Sequence, residues 1–566
     1  MKFDEILYTY LGEFGKYQKI QFFLVCVPTI FTAMHALSWT FTSAIPDYRC
    51  KLPDENDSIP FNLAEFSGKA LSLPPEAEKE GHASNESSLS QCRRYVGMTV
   101  WGKEDQALYN ETESCLDGYR YDRSDLRNTA VTRWDIVCDD LWIRALVQAM
   151  YYVGQFFGSY VFGALGDISG RKKVFFVAII LQIACGTVMA FVPYWPIFGL
   201  LRMGLGFSHP GIFVIANVIG QEMVGPHKRR FAGVITGIFF TFGAVILGVL
   251  AWALRDYQYI QLAISLPALV FVSYWWIVPE SARWLVSMQR YDEADKILQK
   301  AARVNKVTIP ANWHESIELD EPKQSDNEPV TERHKYSVLD LFKYPQLRKR
   351  TLIAFFCWPV VSMVYYGLSM NPSFLGGDRY SMFILASAME IPGLVIVFFL
   401  IDVLGRKVFC TGGYFIASFC LFLTLIIPQD LIWLRLAQVV FSKTAITATY
   451  AVIYTFSPEL FPTPIRNTAM GMCSMIARVG AVGASFVAMQ LAERSQVAVV
   501  LVFAPFALAA GCLALFLPET TGQPLPESIE DVELGGRGAF RLPCLKSRES
   551  SEKSEENREM TKDPVA

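Results

Sequence analysis

Two stretches, Asp167-Ile168-Ser169-Gly170-Arg171-Lys172 and Asp402-Val403-Leu404-Gly405-Arg406-Lys407, decide how this chain is read. They carry one motif twice, 235 residues apart, and each separates two long apolar runs. Other charged residues repeat at nearly the same distance. Glu222 stands seven positions before Arg229, and Glu459 seven before Arg466, an offset of 237. Pro279-Glu280-Ser281 and Pro518-Glu519-Thr520 follow at an offset of 239. Three ordered matches at near-constant spacing predict two parallel halves of six helices each.

Working outward from the motifs, the apolar runs set the class. Of 566 residues 52% are hydrophobic and 19% charged, against about 25% charged in soluble domains. Mean hydropathy is +0.27. Crossing a bilayer takes about 20 apolar residues. Twelve runs qualify: 20–43, 143–165, 174–192, 197–220, 231–253, 259–279, 351–371, 380–401, 408–427, 432–456, 467–490 and 497–517. The fold class expected is an all-α membrane protein of twelve transmembrane helices in two pseudo-symmetric bundles, with one large extracellular loop. Residues 1–19 mix both charge signs and no small-residue cleavage site follows, so the first run is a permanent span.

Loop charge orients the chain. The short loops after spans 2, 4, 8 and 10 carry nine Lys or Arg, those after spans 3, 5, 7, 9 and 11 carry three. Positive residues stay in the cytoplasm, so both termini are expected there, in a multi-pass plasma-membrane protein. Loop 45–142 is then extracellular. It holds every N-x-S/T sequon, at Asn56, Asn85 and Asn110, and four of the twelve cysteines, Cys50, Cys92, Cys115 and Cys138. Two disulfides are expected, with three pairings open. The division expected is a cytoplasmic N-terminus (1–19), an N-terminal half (20–279), a cytoplasmic loop with short helices (280–350), a C-terminal half (351–517) and a cytoplasmic tail (518–566), disordered from about 530.

The repeated charges suggest a gate at the cytoplasmic helix ends: Asp167, Arg171, Glu222, Arg229 and Glu280 in one half, Asp402, Arg406, Glu459, Arg466 and Glu519 in the other. Desolvation there strengthens pairing, with Asp167 to Arg229 or Arg230, and Glu280 to Arg171 or Arg202, as expected partners. At mid-depth, about 15–18 Å into the bilayer at 1.5 Å per residue, lie Glu390, Lys443, Arg478 and His209. Buried charges there are costly and mark pathways or pair with one another. Trp358, Tyr365 and Tyr366, with Tyr151 and Tyr152, are candidates for a cage around an ammonium group. His209 and His35 read as hydrogen-bonded packing residues. Gly204-Leu205-Gly206 lies inside a span, where it serves helix packing rather than a dinucleotide. No metal spacing and no nucleophile–base constellation stands out, so no cofactor, no metal and no enzyme activity are expected. The net charge of -3 gives no case for nucleic acid.

Residues 163–172 resemble the loop 2–3 signature of the major facilitator superfamily. Finer marks resemble its organic cation/anion/carnitine transporter family: FDEILYTYLGEFGKYQK (3–19), VTRWDIVC (131–138), PESARWL (279–285), YYGLS (365–369), MEIPG (389–393), YTFSPELFPTPIRN (454–467) and LPETTGQPLPESIEDVE (517–533). The pattern is most similar to invertebrate organic cation transporter-like proteins. The resemblance implies alternating-access transport of a small organic ion across the bilayer, and leaves a coupling ion, Na+ or H+, open. It also implies a carboxylate in cation transporters where this chain has Arg478, as anion and carnitine members do. Arg478 and Lys443 against Glu390 sum to one positive charge. The expectation is therefore a carboxylate-bearing zwitterion of carnitine type or an organic anion, bound by Arg478, Glu390, Lys443, Tyr365, Tyr366 and Trp358. An organic cation is the alternative, and a non-transporting receptor the alternative of another class.

Overall fold

Residues 10–12, 14–51, 92–95, 98–99, 102–103, 112–225, 229–310, 313, 339–370, 378–428, 431–462, 465–492, 495–523, 526 and 529–534 are described by a computed structural model. Long helices follow the apolar runs in order: α1 Lys16–Leu37, α2 Leu141–Ser169, α3 Arg171–Met189, α4 Trp195–Met223, α5 Arg229–Leu254, α6 Tyr257–Ile277, α7 Pro345–Met370, α8 Arg379–Leu404, α9 Arg406–Leu423, α10 Ile432–Leu460, α11 Arg466–Phe486 and α12 Gln496–Ala514. Eleven are long and apolar enough to cross a membrane.

The helix outside that set is α2, although it has 29 residues. Gln148, Tyr151, Tyr152 and Gln155 dilute its apolar character, and all four are buried. Polar groups survive at membrane depth when protein covers them. Here α4 of the same half and α11 of the other do so. Glycines bring α2 and α4 together: a Cβ on Gly154, Gly158 or Gly206 would strike the backbone of Met203, Phe207 or Tyr151. This is the packing role expected of Gly204-Leu205-Gly206.

The helices outlast the apolar runs at the motif end of the bundle. Asp167 lies in the last turn of α2, Arg171 begins α3, and Gly170 turns between them at φ +100°; Gly405 does the same at φ +90° between α8 and α9. That backbone region is open to glycine and strained for other residues. The α8 helix consists of Arg379–Ala388 and Glu390–Leu404, broken at Met389. Pro392 explains the break, because it has no N–H to return to the carbonyl of residue 388.

At the opposite end of the bundle, strands Tyr48–Cys50 and Tyr119–Tyr121 pair antiparallel, as do Arg93–Tyr95 with Thr112–Ser114 and Met98–Thr99 with Gly102–Lys103. The purely helical expectation omitted these short strand pairs, which alternate too briefly to stand out in the sequence. Cys50–Cys115 and Cys92–Cys138 select one of the three disulfide pairings. Asn56, Asn85 and Asn110 lie outside the described residues.

Two helices follow α6, Ala282–Ser287 and Tyr291–Asn305. Trp284, Leu285, Leu298 and Ala301 bury against Leu11 and Tyr17 from before and within α1. After α12, residues 529–534 form a helix where disorder was expected from about 530. Ile529 and Val532 are buried there, and Glu533 accepts the backbone N–H groups of Gln346 and Leu347 at 2.9 and 3.0 Å. Capping the first turn of α7 and burying two aliphatic side chains orders this segment despite its charge.

The halves meet along α2–α11 and α5–α8. At the loop end Phe41 stacks on Tyr380 and meets Phe383 edge-on. The Thr40 hydroxyl there donates to the Ser369 carbonyl at 3.4 Å.

Candidate functional site

The repeated charges form two matching networks at the motif end. Arg171 reaches Asp167 at 3.0 Å and Glu222 at 3.3 Å. Arg406 reaches Asp402 at 2.9 Å and Glu459 at 3.3 Å. Glu280 accepts the backbone N–H groups of Arg171, Lys172 and Ser281 at 2.9–3.1 Å. Glu519 likewise accepts those of Arg406, Lys407 and Thr520. The Thr520 hydroxyl also donates to Glu459. Each network thus joins the ends of helices 2, 4 and 6 of its own half.

Two of the expected partners change. Asp167 pairs with Arg171, one turn along; the side chains of Arg229 and Arg230 lie outside the described residues. Glu280 meets Arg171 through the backbone N–H and does not meet Arg202. That arginine lies about two turns into α4 from the loop end. There its guanidinium donates to Gln148 at 2.7 Å and Ser38 at 3.3 Å, and lies over the rings of Trp39 and Tyr151. Arg466 donates to the Phe461 carbonyl at 3.3 Å.

At mid-depth the C-terminal half contributes a closed ion pair. Lys443 Nζ lies 2.9 Å from Glu390 Oε1, and both residues are 2% exposed. The other carboxylate oxygen accepts from Tyr365 at 3.4 Å and from Thr241 of the N-terminal half at 3.5 Å. A buried pair is tolerated when each ion finds such partners. The break at Met389 presents Glu390 at the start of a new helical segment, facing α10.

Arg478 of α11 is 4% exposed and has a different environment. Tyr450, Tyr366, Tyr454 and Tyr151 lie near its guanidinium. Among the described residues no carboxylate pairs with it, and its Nε has no partner. Tyr151 comes from α2 of the other half, and its hydroxyl is 2.8 Å from His209 Nδ1. Tyr152 packs on Tyr366 with centroids 4.9 Å apart, again across the halves. The guanidinium therefore sits where the two halves meet.

The sequence grouped Trp358, Tyr365 and Tyr366 with Tyr151 and Tyr152 and named Arg478 separately; of these the structure places Tyr366, Tyr151 and Tyr152 beside one another, and it adds Tyr450 and Tyr454, which the sequence did not single out. Their rings contact Tyr365 and Trp358 at 5.7 and 4.6 Å. Helical spacing could have found them, since 443, 450 and 454 lie on one face of α10. Trp358 packs inside the C-terminal half, its indole N–H donating to Ser457 at 2.9 Å. His35 is buried beside Gln261, whose side-chain nitrogen is 3.4 Å from its Nδ1.

A family model described as Sugar (and other) transporter matches residues 97–531. The Organic cation transporter protein of Drosophila melanogaster is 39% identical over 540 residues, covering 95% of each chain. The mouse Solute carrier family 22 member 4 is 32% identical, covering 94% of each. The human Organic cation/carnitine transporter 2 is 28% identical over 94% of each. Among solved structures, the xylose transporter XylE from E. coli, partially occluded and inward open, superposes with a TM-score of 0.55 at 17% identity, covering 71% of this chain and 93% of that one. That identity supports the fold alone. With twelve long helices in two matching halves and full-length relatives, the chain belongs to the sugar (and other) transporter family of the major facilitator superfamily, within its organic cation/carnitine branch, solute carrier family 22.

Proposed function

We propose that this transporter favours carboxylate-bearing zwitterions of carnitine type, and organic anions after them. The observation that carries this reading is the inequality of the buried charges. Glu390 is already neutralised by Lys443, whereas Arg478 has tyrosine hydroxyls and no carboxylate. The mid-depth site therefore keeps one positive charge, and a substrate carboxylate would complete it. A planar guanidinium can grip a carboxylate through two parallel hydrogen bonds. Tyr366, Tyr450 and Tyr151 would face the remainder of the substrate, where an ammonium head gains from aromatic rings.

The protein sits in the plasma membrane with both termini cytoplasmic and loop 45–142 outside. Basic residues concentrated at the motif end support this orientation. The charged networks brace each half as a unit while the halves rock, and their integrity sets the rate of alternating access. Glycosidase treatment of surface protein should increase gel mobility, and an Asn56/Asn85/Asn110→Gln triple variant should lose that shift. An unshifted wild-type protein would contradict the orientation.

A second reading, organic cation transport, draws on the printed name of the Drosophila relative and on the aromatic walls. Uptake of radiolabelled carnitine, p-aminohippurate and tetraethylammonium separates the two. In the zwitterion reading Arg478→Lys raises the half-saturation concentration for carnitine at least tenfold, about the 1.4 kcal/mol lower end of a charge-assisted hydrogen bond. Arg478→Asp abolishes carnitine uptake. Unchanged carnitine affinity in Arg478→Lys would return the cation to first place.

A further inference from the structure

Beside the Arg171 network lies a cleft of about 590 Å³, between the motif-end tips of α3 and α6 and the helix Tyr291–Asn305. Four cations line it: Lys172, Lys173, Arg290 and Lys296. Two tryptophans form its walls. Lys172 Nζ lies 5.2 Å from the Trp275 ring centroid, and the Arg290 guanidinium 5.8 Å from that of Trp284. The acids of the cleft are committed: Glu280 to three backbone N–H groups, Glu293 to Arg290. Among the described residues neither Lys173 nor Lys296 has a carboxylate partner, and both are exposed. Among the described residues the cleft thus keeps two ammonium groups without a carboxylate, Lys173 and Lys296, beside the Lys172 ammonium that lies over Trp275.

The internal repeat does not account for this arrangement. Position 408, which corresponds to Lys173, is Val, and position 523, which corresponds to Trp284, is Gln. Trp276 and Ile277, exposed on α6 next to the cleft, offer an apolar surface on its membrane side.

We propose that this cleft binds the phosphorylated headgroup of an anionic lipid of the cytoplasmic leaflet. Several phosphates on one headgroup match several ammonium groups, indole rings sit at headgroup depth, and the exposed face of α6 accommodates the acyl chains. Basic pockets at the cytoplasmic ends of membrane helices suit such headgroups. The proposal rests on the orientation given above. Glycosidase sensitivity reports that orientation separately, so loss of lipid binding in a correctly glycosylated protein counts against the cleft alone.

The test uses the full chain in phosphatidylcholine nanodiscs, with and without phosphatidylinositol bisphosphate, read by lipid retention in native mass spectrometry and by melting temperature. Wild type should retain the lipid and melt higher with it. Lys173→Gln/Lys296→Gln should melt as wild type in phosphatidylcholine alone, yet bind the lipid about thirtyfold more weakly, as expected for two basic residues at an anionic surface. The control is Arg348→Gln/Lys349→Gln, in a second basic cleft at this end, which should bind as wild type. Equal weakening in the control, or none in the cleft variant, would overturn the proposal. Equal stabilisation by soluble inositol trisphosphate would overturn the lipid assignment in favour of a free phosphate ligand.

Discussion

At the motif end, Arg171 and Arg406 hold the same set of partners: an aspartate one turn back, a glutamate from the fourth helix of the half, and a helix turn capped by a third acid. At mid-depth the halves differ. The C-terminal half carries Glu390, Lys443 and Arg478, while the N-terminal half answers with Tyr151, Tyr152 and His209. In the proposed function the duplicated ends brace the two rocking bodies, and the unlike chemistry at the centre is where the ligand would bind.

The largest effect tests the centre. Glu390→Gln leaves the Lys443 ammonium buried without its partner, which costs about 3–5 kcal/mol. Surface biotinylation should show little mature protein. Glu390→Gln/Lys443→Gln should restore the fold, because no unpaired charge remains. A single variant that matures normally would show that this pair is not closed in the membrane.

The next effect tests whether the ends are truly alike. Arg171→Ala and Arg406→Ala each leave a half-buried glutamate, Glu222 or Glu459, without its arginine and should each cost about 1.5–3 kcal/mol. Their melting temperatures in detergent should fall together, and transport per surface molecule should slow in both. A loss confined to one half would break the equivalence. Gly170→Ala and Gly405→Ala should cost about 1–3 kcal/mol each, since both glycines have positive φ and an added Cβ would collide with Glu280 or Glu519. The smallest changes are Glu280→Gln and Glu519→Gln. An amide oxygen still accepts the helix N–H groups, so about 1 kcal/mol is lost in each. Unequal shifts there would sharpen the comparison by showing which half is held more tightly.

Much of this could be read before any coordinates. A bilayer demands contiguous apolar runs, so hydropathy located the spans. The repeat located the charged ends, and residue counting put Glu390, Lys443 and Arg478 at one depth. Partner choice was less legible. Arg202 stood beside Arg171 as an alternative partner for Glu280, but depth along α4 puts it near the loop end, against Gln148 and Trp39. The tail helix escaped notice because its two buried side chains, Ile529 and Val532, are few among many charges.

Sequence by itself determined the class of this protein, its two halves and the order of its helices, because apolar runs and their repeats are one-dimensional features of the chain. Only the tertiary structure decided what depends on rotation about the helix axes and on contacts between distant segments. It chose Lys443 rather than Arg478 as the partner of Glu390. It paired Cys50 with Cys115 and Cys92 with Cys138, and it surrounded Arg478 with tyrosines from both halves. Height is a local property of the chain, whereas azimuth and neighbours arise from the packing of the whole bundle.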